Sequence, residues 1–218
     1  MLRDELFEGT LLPGTRLREE HLCERFDVGR HTARAALRLL VDRGLVVHER
    51  NRGATVPELT RERIDEFFGF RIVLELGSLR LALGRGADLS AVDAAVRELE
   101  ALPEHASWLE LTEVHGRIHH EIVAAADNDH LLHAYARCEE EMRVLLGVLR
   151  PDFSARRMAV LHRHLLDQLL IGGDVAVQAL TDDLELAGRA ALLQALHRAE
   201  YAARAIGARP VPRAAEIR

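Results

Sequence analysis

Apolar residues recur at helical spacing through the larger, C-terminal part of the chain. Between residues 60 and 206 they return every three or four positions, and no stretch there shows the alternation expected of a strand. Glycine and proline stops divide this part into six predicted helices, at about 60–85, 90–101, 107–126, 129–149, 153–171 and 174–206. Because the connections between them are short, we predict an antiparallel helical bundle.

Most of these helices begin after a residue whose side chain can accept a hydrogen bond from a free backbone N–H group. The predicted N-caps are Thr60, Ser90, Ser107, Asp129 and Asp174. Pro57 interrupts the segment before the first of them, so the sequence predicts a linker near residues 57–60 and a domain boundary there.

The first 57 residues follow a different pattern. A Pro-Gly turn precedes a short helix that directs Leu22 and Phe26 inward. The next predicted helix carries Arg30, Arg34 and Arg38 four residues apart on one face, with apolar residues on the other. Such a division of charge suits a helix that lies in a groove of DNA, although a solvated amphipathic helix is the alternative.

A hairpin wing, residues 45–56, is predicted to follow. Gly44 is placed to end the preceding helix in a left-handed conformation. Residues 45–47 and 54–56 are apolar or β-branched enough to pair as two short strands. The polar turn between them carries Arg50 and Arg52, which could reach phosphate or the minor groove.

Charge and composition narrow the class of protein. The chain of 218 residues has a net charge of −6, yet residues 28–56 hold six arginines against Asp42 and Glu49. The composition, 48% hydrophobic and 29% charged, is that of a soluble globular protein, and the length suits one domain or two modest ones. No apolar run approaches the ~20 residues of a membrane span, and no signal peptide is evident, so we expect a cytoplasmic protein without a membrane partner.

Several motifs in residues 2–56 together resemble the winged helix-turn-helix domain of the GntR family of bacterial regulators. They are, in order, Pro-Gly-x-x-Leu-x-Glu-x-x-Leu, Val-x-Arg, Ala-Arg-x-Ala-Leu, Arg-Gly-Leu-Val and Arg-Gly-x-x-Val. Gly29 stands where the family usually has serine, and the chain begins part-way through the expected first helix. The resemblance implies DNA contacts by Arg30, His31, Thr32, Arg34, Arg38, Arg50, Arg52 and Gly53.

Histidines form the second pattern of chemical interest. His115 and His119 are four residues apart on one predicted helix, on the face that Ile118 and Ile122 turn inward. His162 lies on the apolar face of a later helix. Imidazole nitrogens in this arrangement could bind a divalent metal ion, or the rings could be ordinary core histidines.

Three stretches of the second domain resemble the FCD effector-binding domain that often follows a GntR domain. They are Arg71-Ile-Val-Leu-Glu75, Ile118-His-His-Glu-Ile122 with Asn128 downstream, and Leu161-His162 followed by Gly173-Asp174. The similarity covers roughly residues 60–205, and six helices indicate the smaller, VanR-like branch. We therefore predict a mainly α protein with a winged helix-turn-helix domain (1–57), an FCD-like helical domain (58–206) and a flexible tail (207–218).

FCD domains with a metal hold it by an Asp-x-x-x-His pair and one histidine from each of two later helices. Here His115 takes the aspartate position, and the last histidine position falls near Glu185. The resemblance thus implies the ligands His115, His119, His162 and Glu185, with Asp183 as an alternative carboxylate. Zinc is the expected metal, and nickel and manganese remain open.

Two further residues are candidates for contact with an effector. Arg71 either forms an ion pair with Glu75, four residues later, or faces the cavity and meets an anionic ligand. Asn128 either caps a helix or contacts the effector.

These features predict a DNA-binding transcription repressor, and not an enzyme, that acts as a homodimer on a pseudo-palindromic operator. Its expected effector is a small organic acid that completes the coordination of the metal. The alternatives are a metal sensor without an organic effector and a metal-dependent helical enzyme.

Overall fold

The protein is described by a computed structural model that covers residues 1–49, 53–149 and 154–205. Its helices are α1 (Leu2–Phe7), α2 (Glu19–Phe26), α3 (Arg30–Asp42), α4 (Arg61–Arg85), α5 (Ser90–Ala101), α6 (Trp108–Ala124), α7 (Asp129–Leu146), α8 (Ala155–Ile171), α9 (Gly173–Asp182) and α10 (Ala190–Ala205). Its strands are β1 (Arg16–Leu17), β2 (Val47–Glu49) and β3 (Gly53–Thr55). The predicted fold class, a small winged domain followed by a helical domain, is confirmed.

The sheet of the N-terminal domain differs from the prediction of a two-stranded wing. It has the strand order β1-β3-β2, and both outer strands pair antiparallel with β3. The prediction also placed the first wing strand at residues 45–47, whereas β2 begins at Val47. Leu45 and Val46 are buried because they pack into the core of this domain instead.

Helices α1 to α3 and the sheet enclose a core of their own. The left-handed conformation of Gly44 turns the chain out of α3, as predicted. Residues buried in this core come from all of these elements: Leu6, Phe7, Leu17, Leu22, Ala33, Leu37, Leu40, Leu45, Val46, Ala54 and Val56.

The second domain is all helical over its described residues. Its core draws on α4 to α10, with Phe68, Leu79, Ile118, Ile122 and Leu166 among the side chains that are fully buried. Apolar positions of these helices meet at the centre of the domain, which explains the helical periodicity of the sequence. Within the described ranges, no helix is long and apolar enough to cross a membrane.

The predicted N-cap of α6 is correct. The Ser107 hydroxyl accepts a hydrogen bond from the Glu110 backbone N–H at 3.2 Å, and the Glu110 carboxylate accepts one from the Ser107 N–H at 2.8 Å. This reciprocal capping box satisfies two N–H groups that the helix leaves free. Thr60 likewise caps α4, since its hydroxyl accepts a bond from the Arg63 N–H.

Three other predicted caps are wrong by one or two residues. Asn128, and not Asp129, caps α7, because its side-chain oxygen accepts bonds from the first N–H groups of the helix. Ser90 is the first residue of α5, and its N–H donates to Asp88. Helix α9 begins at Gly173 rather than after Asp174. Each error comes from adjacent residues that are all suited to a helix start.

The last predicted helix, 174–206, is interrupted. A π-helical segment, Asp183–Arg189, separates α9 from α10. Gly188 in this segment lies against Phe68 of α4, and a Cβ atom there would come within 3.0 Å of the phenylalanine ring. The segment is therefore packed closely onto α4, and it changes which residues face the core.

The two domains contact each other through α7. The Arg43 side chain, at the end of α3, donates a hydrogen bond to Glu140 at 3.0 Å. The guanidinium of Arg143 lies over the Phe7 ring, 4.6 Å from its centroid. Helix α7 thus touches both the end of α3 and α1.

Candidate functional site

Helix α3 presents a cationic face to solvent. Arg30, Arg34 and Arg38 are exposed, as are His31 and Thr32 in its first turn. The opposite face is buried in the core of the domain, as the apolar positions of the sequence predicted. The arginines therefore stand on a rigid element and face solvent.

One of these arginines is held by a carboxylate of α2. Arg34 makes a two-pronged contact with Glu19, from Nε to Oε1 at 3.0 Å and from Nη2 to Oε2 at 2.9 Å. The hydrogen bond lowers the pKa of Glu19 and raises that of Arg34. This planar geometry is also the one with which arginine binds phosphate or guanine, so DNA would compete with Glu19 for the same fork.

An open groove of about 780 Å³ runs beside α3, and further cationic residues line it. Arg16 and Arg18, both exposed, line it together with the α3 arginines and Gly53 of the wing. Neither of these two residues was predicted to contact DNA. The alternation Arg16-Leu17-Arg18 around a buried leucine was the available signal for a strand with outward-facing arginines. The predicted contacts Arg50 and Arg52 lie outside the described residues.

Three of the four predicted metal ligands come together in the core of the helical domain. The imidazoles of His115, His119 and His162 are only 6%, 1% and 4% exposed. Their ring centroids are 4.7 to 5.6 Å apart, and one nitrogen of each lies within 4.8 Å of the others. Helix α6 supplies the first two rings and α8 the third.

His119 is oriented by a carboxylate that the sequence analysis did not assign to it. Its Nδ1 lies 2.8 Å from Oε2 of Glu75, on α4. Because a carboxylate accepts hydrogen bonds, Nδ1 carries the proton in this contact. The other nitrogen, Nε2, is left to face the cluster.

His162 is oriented in a similar way by the backbone. Its Nδ1–H donates a hydrogen bond to the Met158 carbonyl at 2.8 Å, and its Nε2 is buried without a partner among the described residues. Nδ1 of His115 is likewise buried and unpaired within that part of the chain. Burial lowers the pKa of both residues. A neutral imidazole keeps a lone pair on one nitrogen, which in His162 is Nε2 because Nδ1 donates its proton.

The predicted fourth ligand is not part of the buried cluster that the three histidines form. Glu185 is exposed. Asp183 lies nearer the histidines, with Oδ2 3.7 Å from His119 Nε2 and a side chain that is only 14% exposed. Both residues belong to the π-helical segment, of which Asp183 is the first residue.

The donor atoms fit a divalent transition metal. Two buried imidazole nitrogens without a hydrogen-bond partner are costly unless something occupies the space between them. Three neutral imidazoles with one carboxylate are typical of a zinc site. In known metal sites, ligand histidines are held in place by hydrogen bonds from their other ring nitrogen. Glu75 and the Met158 carbonyl accept such bonds from His119 and His162.

Arg71 forms the ion pair that the sequence analysis offered as one of two alternatives. Its Nε donates to Glu75 Oε1, and both side chains are buried. The Tyr135 hydroxyl donates to the same oxygen at 3.1 Å. Although burial opposes it, the positive charge of Arg71 holds the pKa of Glu75 below its usual range. The carboxylate therefore stays ionised inside the domain.

Asn128, the other predicted effector contact, is exposed and uses its side-chain oxygen to cap α7. A second open groove, of about 820 Å³, is lined by α8, α9, the π-helical segment and α10. It reaches Asp183 and includes His164, Gln168 and Leu161. Asp183 thus lies near the histidines and also borders this groove.

Comparison with known families agrees with both halves of the prediction. The model of bacterial regulatory proteins of the gntR family matches residues 1–56, and the model of the FCD domain matches residues 66–186. These are domains of transcription regulators, so the expected class of protein, a regulator rather than an enzyme, is confirmed.

Curated relatives match part of their length. The uncharacterized HTH-type transcriptional regulator YdhC of Bacillus subtilis is 29% identical over 133 residues, 60% of this chain and 59% of YdhC. The HTH-type transcriptional repressor GlaR of Escherichia coli is 27% identical over 60% of this chain and 62% of GlaR. The matched stretches therefore span about three fifths of these two relatives.

Solved structures match nearly the whole chain. A GntR transcriptional regulator from Rhodococcus sp. RHA1 has a TM-score of 0.72 and 28% identity, covering 88% of this chain and 94% of that one. McbR/YncC of E. coli has a TM-score of 0.69 over 88% of this chain and 93% of its own, and at 22% identity it shows similarity of fold alone.

Proposed function

Because the chain belongs to the GntR family of bacterial regulatory proteins and carries an FCD domain, we propose that it is a transcription repressor that binds its operator as a homodimer. The observation that carries this proposal is the exposed face of α3, where Arg30, Arg34 and Arg38 stand beside a groove lined by further arginines. Arginine forks read guanine edges and phosphates, and the wing lies at the side of the same groove.

Repression of transcription and binding as a dimer are supported by separate observations. The relative GlaR is a repressor, which favours repression for this chain. A single winged domain buries too little DNA surface for tight binding, whereas a symmetric dimer reads two half-sites at once.

A footprint on the DNA upstream of its own gene tests this proposal. We expect two protected half-sites whose centres lie about 34 Å, or a multiple of this helical repeat, apart. Protection of one half-site alone would argue against the dimer. No protection beyond that of a scrambled sequence would contradict sequence-specific binding.

We further propose that the helical domain holds one zinc ion through His115, His119, His162 and Asp183. The unpaired buried nitrogens and the orientation of His119 by Glu75 support this set. Nickel and manganese accept similar ligands, and the three nitrogens make zinc the better fit. When bound, the ion supplies a positive centre to which a carboxylate can bind.

The effector is then a small organic acid that reaches this centre along the groove beside Asp183. The groove offers apolar and amide contacts, among them Leu161 and Gln168, for the rest of such a molecule. Arg71 does not contact the effector in this scheme, because its guanidinium is already paired with Glu75. The predicted contact of Asn128 with the effector gains no support from its capping position.

Metal analysis of the purified protein tests the proposed centre. We expect about one zinc ion per chain, and its loss in the His119→Asn and His162→Asn variants. His164→Asn is the matched control, because His164 is exposed on the same helix as His162. Equal metal content in all four proteins would place the ion elsewhere.

A metal sensor without an organic effector is the second candidate. The observation that favours it is the pairing of Arg71 with Glu75, because among the described residues no other buried arginine is left for an anionic ligand. Zinc-dependent DNA binding in the absence of any metabolite would support this candidate over the first.

A further inference from the structure

Helix α4 carries a row of residues, all exposed except the half-buried Gly77, with the spacing of a helix–helix seam. Its members are separated alternately by four and three positions, a repeat of 3.5 that keeps one line of side chains against a partner helix. They are Glu66, Phe70, Val73, Gly77, Arg80 and Gly84, which we call the outer seam. The opposite side of α4 is buried in the core of the helical domain.

The centre of the outer seam is apolar and open. Val73 is 71% exposed and Phe70 is 50% exposed, so both large apolar side chains face solvent. A Cβ atom added at Gly77 or Gly84 would meet nothing within 4 Å, so both glycines leave shallow gaps on the surface. Large apolar side chains next to such gaps favour close approach of another helix.

Charge separates the two ends of the outer seam. Glu66 lies toward the start of α4 and Arg80 toward its end, and both are exposed. Neither forms an ion pair with another residue in the described part of the chain. A parallel copy of α4 would set like charges against each other, whereas an antiparallel copy brings opposite charges together.

We propose that the outer seam is the contact between two copies of this chain, with their α4 helices antiparallel. Val73 of each copy packs into the gap at Gly77 of the other. In this register Glu66 lies within one helical turn of Arg80 of the second copy. At 1.5 Å per residue the seam, from Glu66 to Gly84, is about 27 Å long. The inference rests on the proposed homodimer and identifies the face that forms it.

Sedimentation of the full chain tests the apolar centre of the seam. Wild type is expected to be a dimer at micromolar concentration, and Val73→Asp is expected to be a monomer with an unchanged helical circular dichroism spectrum. The matched control is Val160→Asp, because Val160 of α8 is 65% exposed but lies outside the seam. It should remain a dimer.

Charge reversal tests the antiparallel arrangement. Glu66→Arg and Arg80→Glu should each weaken the dimer at least about tenfold, because each sets like charges together. The double variant Glu66→Arg/Arg80→Glu restores opposite charges and should restore the dimer.

The outcomes distinguish this inference from the proposed function. A dimer that survives Val73→Asp overturns the assignment of the face and leaves the homodimer intact. Failure of the double variant to restore the dimer overturns the antiparallel arrangement. A wild-type protein that sediments as a monomer contradicts the homodimer itself.

Discussion

The Glu75 carboxylate contacts Nδ1 of His119 at 2.8 Å, across the interface between α4 and α6. Its other oxygen accepts hydrogen bonds from Arg71 and Tyr135, so the carboxylate is held from three sides. A fixed and ionised acceptor of this kind determines which nitrogen of His119 carries the proton. Glu75 is therefore the residue that directs His119 Nε2 toward the other two histidines.

Replacing Glu75 by glutamine should weaken metal binding about 10- to 100-fold, the usual effect of losing an outer-shell partner of a ligand histidine. The amide keeps the size of the side chain but loses the charge that holds the His119 proton. Competition with a chromophoric chelator measures the affinity.

Glu98→Gln is the matched control for this variant. Glu98 pairs with Arg117 on the surface, where a lost ion pair has little effect. An unchanged zinc affinity in Glu75→Gln would show that Glu75 serves only to pair with Arg71.

Removal of the metal should destabilise the helical domain. A ligand that binds only the folded state adds about 2.7 kcal/mol at a free concentration 100 times its Kd. Treatment with a chelator should therefore lower the melting temperature, and added zinc should raise it again. His162→Asn should show neither change, and a chelator effect that persists in this variant would place the metal elsewhere.

The stability of the metal-free protein should fall in mild acid. Burial lowers the pKa of His115 and of His162 below the ordinary value of 6.5. As the pH drops through that value, the unfolded chain binds protons while the folded protein does not. The free energy of unfolding is thus greatest above pH 6.5 and decreases below it, by up to about 1.4 kcal/mol per pH unit for each histidine.

Urea unfolding of chelator-treated protein between about pH 7.5 and pH 5.5 measures this slope. The variant His115→Gln/His162→Gln should lose most of it, because glutamine does not titrate. A midpoint that did not depend on pH in the wild type would mean that the two rings take up protons as readily in the folded protein as in the unfolded chain.

Arg18 should contribute to DNA binding without regard to sequence. It lines the groove beside α3 but precedes α2, where it is suited to reach the phosphate backbone. Arg18→Ala should weaken binding to specific and scrambled duplexes alike. It should also reduce the slope of log affinity against log salt concentration by about 1, as expected for the loss of one phosphate contact. Arg97→Ala, an exposed arginine of α5, is the control; a loss confined to the specific duplex would instead assign base contact to Arg18.

Local pattern was sufficient to predict much of the site. The spacing of Arg30, Arg34 and Arg38 identified the exposed face of α3, because four residues are close to one helical turn. The apolar neighbours of His119 and His162 showed that both rings point inward. Which side chains of a helix face solvent and which face the core depends on the spacing of residues within that helix, so the local sequence predicts it.

Glu185 was predicted from its position in the resemblance to the FCD domain, and the structure leaves it exposed. The π-helical segment has a wider turn, which alters the facing of every residue after its start. Its close contact with Phe68 of α4, at Gly188, is a tertiary relationship that the local sequence does not encode.

Contacts between distant residues account for the other omissions. Strand β1 has two residues, and its pairing with β3 joins positions almost forty residues apart, as between Arg16 and Thr55. Glu75 has its expected partner in Arg71, one turn away, but its contact with His119 spans 44 residues. Such contacts follow from the packing of whole elements.

Fluorescence anisotropy with the protein's own upstream DNA tests the central claim most directly. Wild type and Arg34→Ala are compared on that duplex and on a scrambled duplex of equal length, at physiological salt. Arg163→Ala is the matched control, since Arg163 also makes a fork with a glutamate, Glu100, but on α8. We predict preference for the upstream duplex in wild type and in Arg163→Ala, and a loss of about 1–3 kcal/mol in Arg34→Ala. Equal, weak binding of all three proteins to both duplexes would contradict a DNA-reading role for α3.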